Sequence, residues 1–317
     1  MADVLTIGET MALLTSTTSE RFKSSSFLQK NIGGAETNVA IGLSRLGHST
    51  AWISRVGNDP FGEEILYRLR AEGIDVSNVL VDQNAQTGMM IKEKVRGNQT
   101  IVHYFRKGSA ASNLVPFDLS TEQIRNAKIL HVTGITPSLS DSCRETITEA
   151  IKLAKQNNTK VSLDPNLRLK LWDIKKAREV LLPLIKEADY FFPGLEEARL
   201  LLGDEELSPN QIIDEFLKQG IPHIILKLGK EGCITADQSN RFQVSSYPVV
   251  EIDPVGAGDA FCAGYLSGIL SEKSPEECAN LACAMGALAV TEVGDYNALP
   301  TRQEINEFMN KQAIVMR

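Results

Sequence analysis

The chain has 317 residues and a formal net charge of −7 at pH 7. That length can bury a sizeable core and suits one large α/β domain with an insertion better than two equal domains. The acidic balance leaves no footprint for nucleic acid or an anionic membrane, although local cations can still bind an anionic substrate, and five dispersed cysteines without C-x-x-C spacing suggest no zinc site and fit buried thiols in a reducing compartment.

Met1-Ala2-Asp3 leads at once into strand-like residues 4–10, with neither a basic leader nor a long apolar run. The expectation is a cytoplasmic chain that does not span a membrane. Gly8-Glu9 stands at the carboxyl end of that strand. Residues 11–17 and 27–32 read as two more strands, and from Asn38 to Leu46 the positions Val39, Ile41 or Gly42, and Leu46 fall near one helix face. Residues 50–56 form the next strand. Residues 87–95 and 100–107 are strand-like runs joined by Arg96-Gly97-Asn98-Gln99 with no helical pattern between, which predicts a hairpin. Its alternation, through Ile91, Glu93 and Val95 and through Ile101, His103 and Phe105, predicts one covered face. Tyr104 and Arg106 share a face at period two.

Residues 129–133, 160–164, 190–192 and 224–227 are further strands, separated by helical segments such as the one carrying Ile147, Ile151 and Ala154. Pro165-Asn166, Pro193-Gly194 and Leu228-Gly229 follow three of them. Residues 278–290 and 301–313 read as helices. The alternation predicts a mostly parallel sheet with helices on both faces and ligands beyond the carboxyl ends of its strands. The sequons at Asn98 and Asn157 carry no weight without a secretory route.

The strongest chemical signal is Asp253-Pro254-Val255-Gly256-Ala257-Gly258-Asp259-Ala260-Phe261-Cys262-Ala263-Gly264, a small-residue turn entering an apolar helical stretch. Gly256, Ala257 and Gly258 let successive amides point outward at the positive end of a helix, where an anion binds. Asp259 then stands where it can take a proton from a hydroxyl attacking a bound phosphorus. From the residues alone it reads equally as a helix N-cap. Phe261 at the last glycine position excludes a dinucleotide fingerprint, and Glu231 after Gly229-Lys230 excludes a Walker A loop. Lys227-Leu228-Gly229-Lys230-Glu231-Gly232 is either a backbone run beside a nucleotide or a plain β-turn.

Residues 253–264 resemble the carboxy-terminal signature of the ribokinase-like (PfkB) sugar kinases, with Pro254 in place of the usual threonine. The amino-terminal signature is matched by Gly33-Gly34-Ala35-Glu36-Thr37-Asn38-Val39-Ala40, Leu46-Gly47, Val56-Gly57-Asn58-Asp59 and Phe61-Gly62. The resemblance runs from Val4 to about Thr301. Within the family, Asp164-Pro165-Asn166-Leu167-Arg168 with Leu171-Trp172, and Tyr104-Phe105-Arg106 before Ser109-Ala110-Ala111-Ser112, are most similar to 2-keto-3-deoxygluconate kinases.

That resemblance implies a three-layer α/β/α core with a mostly parallel sheet and a small β-sheet lid from about residues 11–32 and 87–108, all in one domain spanning 1–317. It implies a homo-oligomer paired through the lids. It also implies ATP-dependent phosphorylation of the C6 hydroxyl of 2-keto-3-deoxygluconate, with a fructokinase-like or 5-dehydro-2-deoxygluconate kinase activity, or a sensor without turnover, as alternatives. Asp259 is then the base, with the Gly256, Ala257 and Gly258 amides on the transferring group. Gly34, Asn38, Tyr104, Arg106, Arg168, Asp259 and Asp295 take the sugar acid, the arginines because a guanidinium pairs with a carboxylate through two hydrogen bonds. Asn166, Arg168, Lys227, Gly229, Gly232, Gly256 and Gly258 take ATP. Cys283 falls where many relatives place an asparagine beside adenine, and it reads as readily as packing. Glu197 is a water-mediated Mg²⁺ contact by resemblance, although Gly194 stands where relatives carry asparagine. A K⁺ site by Asp253 and Val255 is the remaining implication.

Overall fold

The structure is a computed structural model and describes residues 1–16, 22, 25–94 and 100–315. In chain order it forms β1 (Val4–Ile7), β2 (Met11–Ser16), β3 (Leu28–Gly33), α1 (Ala35–Arg45), β4 (Thr50–Gly57), α2 (Pro60–Ala71) and β5 (Val79–Asp82). Next come β6 (Met89–Lys94) and β7 (Thr100–Phe105), then α3 (Thr121–Asn126), β8 (Ile129–Thr133), α4 (Asp141–Gln156), β9 (Lys160–Asp164), α5 (Ile174–Lys186) and β10 (Tyr190–Phe191). The chain continues through α6 (Leu195–Leu202), α7 (Pro209–Lys218), β11 (His223–Lys227), β12 (Cys233–Ala236) and β13 (Arg241–Val244). Its last helices are α8 (Ala257–Leu270), α9 (Pro275–Ala289) and α10 (Arg302–Val315).

Nine strands make the large sheet, in the order β13, β12, β11, β10, β9, β8, β1, β4, β5. All neighbours are parallel except β11 with β12 and β12 with β13. Successive strand residues feed opposite cores, as the period of two requires. Trp52, Phe192 and Ile225 join one apolar cluster with residues of α1, α8 and α9. Ile53, Phe191, Ile224 and Leu226 join another with residues of α4, α5 and α7. The result is the three-layer arrangement expected. β5 and β13 were not expected, because short, partly exposed edge strands carry little of the burial signal by which strands are read.

Local chemistry fixes the helix starts. Ser208 and Ser274 cap α7 and α9 through the amides of Gln211 and Glu277, each followed by a proline at the first helical position. α8 and α9 approach closely because a side chain at Gly264 would stand 2.8 Å from the Ala282 Cα.

The small sheet has the order β3, β2, β6, β7, with β2 and β6 parallel. Residues 17 and 95 and the hairpin turn 96–99 lie outside the described residues. The covered face of the hairpin carries Met90, Lys92, Val102 and Tyr104, whereas Ile101 and Phe105 point outward, 42% and 56% exposed.

Order in the large sheet reverses at β1, which pairs β4 on one side and β8 on the other. Ligand sites of open α/β sheets lie beyond the carboxyl ends of strands at such a switch.

Candidate active site

Glu9 leaves β1, Asp164 and Asn166 leave β9, and Lys227 ends β11, so four functional side chains converge where the sheet order turns. Asn166 adopts a left-handed backbone, φ 36°, while its amide donates to Asp164 Oδ1 at 3.0 Å. Asp164 Oδ2 in turn accepts from Lys227 Nζ at 2.8 Å. Burial alone favours a neutral amine, but the Asp164 carboxylate beside it, with Glu197 and Cys262 adding to it, holds the Lys227 ammonium charged and above its ordinary range.

Across from these strands stands the amino end of α8. Gly256 is its N-cap residue, φ 82°, and no side chain caps the first turn. A Cβ at Gly256 would lie 2.9 Å from the Asp295 carbonyl oxygen, so the turn requires glycine on both counts. The first amides of a helix have no partner inside it, and Gly256, Gly258 and Asp259 line a cavity of about 450 Å³. Asp259 is therefore not the N-cap. Its Oδ2 accepts from Asn38 Nδ2 at 2.7 Å. Burial pushes its carboxyl up to about 7, with Asp164 adding and the Asn38 hydrogen bond, Arg168 and Lys227 opposing. Such a group exchanges a proton near neutral pH.

Gly34, Asn38, Tyr104, Arg106, Arg168 and Asp295 line the same cavity. Arg106 is not free: its Nε and Nη2 bond Glu9 Oε2 at 2.6 and 2.5 Å, and Ser109 Oγ donates to Glu9 Oε1 at 2.5 Å. The guanidinium also lies 5.7 Å from the Tyr104 ring centroid. Arg168 is exposed at the rim and has no carboxylate partner among the described residues. Lys92 Nζ lies 2.6 Å from Asp253 and 3.7 Å from Asp295. Burial raises the Asp295 carboxyl to about 6, with Lys92 pulling it down and Asp253 pushing it up. Beneath the site, buried Glu36 accepts from Thr133 and Thr136 at 2.7 and 2.8 Å and ties α1 to the end of β8 and the turn after it.

A second cavity of about 540 Å³ adjoins the first and shares Lys227, Pro254 and Gly258 with it. Gly229, Gly232, Ala257, Tyr247, Phe261 and Cys283 line it. The Cys283 sulfur also packs 3.7 Å from Cys233 Sγ. Asp253 lines neither cavity. Glu197 faces the first, but its two oxygens accept from the Leu167 and Gly194 amides at 2.7 and 2.8 Å. Among the described residues, no group of three or more His, Cys, Asp or Glu side chains is arranged to hold a metal. Mg²⁺ keeps much of its coordination in water and phosphate oxygens, and the carboxylates of Asp164 and Glu197, which line the first cavity with the α8 turn, fit that mode.

Sequence reasoning passed over Glu9 and Lys92 as site residues. Only the position of Glu9 just past a strand marked it, and nothing local marked Lys92.

Two cavities meet at an uncapped helix end with a buried carboxylate beside it, an arrangement suited to holding an anionic group between two ligands. The chain belongs to the pfkB family of carbohydrate kinases, whose pattern residues 1–302 match. It is 38% identical to the 2-dehydro-3-deoxygluconokinase of Bacillus subtilis, over 99% of this chain and 97% of that one. It is 32% identical to the 2-dehydro-3-deoxygluconokinase of Thermoproteus tenax, over 98% and 94%. A protein described as a ribokinase II of E. coli, solved with ATP and Mg²⁺, superposes with a TM-score of 0.91 at 27% identity, covering 98% of this chain and 100% of that one. A fructokinase double mutant from Vibrio cholerae O395, in its fructose, ADP and potassium ion bound form, gives 0.87 at 27% identity over 97% and 98%. The protein is thus a sugar kinase of ribokinase-like α/β fold. Among its described residues, no helix is long and apolar enough to cross a membrane.

Proposed function

We propose that the enzyme transfers the γ-phosphoryl group of ATP to the C6 hydroxyl of 2-keto-3-deoxygluconate, which is 2-dehydro-3-deoxygluconate, giving 2-keto-3-deoxy-6-phosphogluconate and ADP. The observation that carries this reading is the α8 turn between the two cavities, with Asp259 buried beside it. Asp259 takes the hydroxyl proton as the hydroxyl oxygen bonds to the γ-phosphorus and the bond to the bridging oxygen of ADP breaks. The amides at Gly256, Ala257, Gly258 and Asp259, with Lys227, face the charge on the transferring group. Mg²⁺, when bound, shields phosphate charge, and Asp164 and Glu197 stand nearest to that role. Asn166, Arg168, Gly229, Gly232 and the wall at Cys283 serve the nucleotide.

Gly34, Asn38, Tyr104, Arg106, Arg168 and Asp295 serve the sugar acid. Among the described residues that line the cavity, Arg168 is the cation left free to pair its carboxylate. The small sheet acts as a lid on a single-domain core, and its outward Ile101 and Phe105 suit pairing of two copies in a cytoplasmic homo-oligomer. A neutral sugar such as fructose is the second reading, favoured by the charge of Arg106 being already met by Glu9.

ADP release with Mg-ATP and a panel of 2-keto-3-deoxygluconate, gluconate, fructose and ribose separates the two. Selective turnover of the keto acid is expected. Arg168→Ala raises its KM by about tenfold or more, the worth of a hydrogen-bonded charge. Preference for fructose, or an unchanged KM in the variant, defeats the acid reading.

A further inference from the structure

Lys92 enters the sugar-side cavity from β6, yet its charge is already spent on two carboxylates. Its Nζ lies 2.6 Å from Asp253 Oδ2 and 3.7 Å from Asp295 Oδ1, and the three residues are 4%, 6% and 6% exposed. Both carboxylates belong to the frame of the anion-binding turn. Asp253 accepts from the amide of Val255 at 3.2 Å and that of Gly294 at 3.4 Å, joining the residues before α8 to the loop that carries Asp295. The Asp295 carbonyl packs against Gly256 itself. Among the described residues, Asp295 Oδ1 has no hydrogen-bond partner although it is buried, and Lys92 is the cation beside it. Two buried carboxylates without a cation repel each other and any phosphate arriving at the turn.

We infer that Lys92 is a built-in cation that positions the phosphoryl-binding turn, so that transfer needs no added monovalent ion at the place where sequence resemblance implied K⁺. The inference rests on the kinase reading above. Lys92 touches no reacting atom in this role; it acts through Asp253, Asp295 and the backbone from Gly256 to Asp259. Being carried by β6, it also makes the turn depend on the small sheet being in place.

The test assays the whole protein in choline, sodium or potassium chloride at one ionic strength, beside Lys92→Met and Lys92→Arg. Wild type should differ by less than about twofold among the salts. Lys92→Met should lose about tenfold or more in kcat, recover part of it with K⁺, ammonium or methylammonium but not with choline, and Lys92→Arg should keep most of the rate. Hydrogen exchange of residues 253–260 and 293–296 needs no turnover. It should be alike in all salts for wild type, faster in Lys92→Met, and slowed again there by the small cations.

Several-fold stimulation of wild type by K⁺ overturns the inference. So does a Lys92→Met protein with wild-type kcat and exchange, or a loss that no small cation restores in rate or exchange, which marks a purely structural lysine. If wild type phosphorylates no sugar, the kinase reading fails, and the exchange measurement alone then decides the role of Lys92.

Discussion

Asp259 carries two properties that pull against each other. Its burial makes it a proton acceptor matched to neutral pH, and the same burial disfavours the charged form that acceptance requires. Asp259→Asn should therefore lower kcat by roughly 100-fold or more while leaving ligand binding in place, read by steady-state kinetics beside titration calorimetry. In wild type, kcat/KM should fall as pH drops below about 7. The folded carboxyl holds its proton up to about 7 and the unfolded one only to about 3.8, so the folded state binds more protons between these values and stability declines as pH rises through them. The asparagine variant should accordingly melt higher than wild type at pH 8, with the gap narrowing toward pH 5. The place of Asp259 was legible in the sequence because a glycine turn, a helix start and an acid within a few residues are local facts, although the residues alone read it equally as a helix N-cap. Glu9 and Lys92 were not, because the partners that define them, Arg106 and Asp253, lie 97 and 161 residues away.

At the scale of elements, the amino end of α8 is the part whose backbone cannot be altered cheaply. Gly256→Ala places a Cβ in a left-handed conformation and within 2.9 Å of a backbone oxygen. The conformation alone costs roughly 1–2 kcal/mol, and the contact forces the turn itself to move. Gly47 is the natural control, with φ +85° and nothing within 4 Å. Urea unfolding should show both alanine variants destabilised, Gly256→Ala by more, and only Gly256→Ala should lose kcat, by about tenfold or more. Equal activity in the two variants would remove the turn from the chemistry. Central strands such as β8, β9 and β11 were legible for the reason that also makes them good supports: their short apolar runs are buried. The edge strands β5 and β13 are held by neighbours rather than by their own pattern, whereas β10, only two residues long, was still marked in the sequence at residues 190–192.

For the whole molecule, the relevant fact is how far apart in the chain the cavity walls arise, from Glu9 to Asp295. β1, β9, β11, the small sheet and both loops around α8 must all be folded for the site to exist, so a bound ligand opposes global unfolding and not merely the opening of one loop. A ligand present at a hundred times its Kd stabilises the folded state by about 2.7 kcal/mol, which for a protein of this size raises Tm by roughly 5 °C. Scanning fluorimetry with Mg²⁺ and a nonreactive ATP analogue, with 2-keto-3-deoxygluconate, and with both should give shifts of that order, largest for the pair because the cavities share Lys227, Pro254 and Gly258. Asp259→Asn should retain them, since its role begins after binding. A keto acid that leaves Tm unchanged while fructose raises it would transfer the site to a neutral sugar and leave the phosphoryl turn standing.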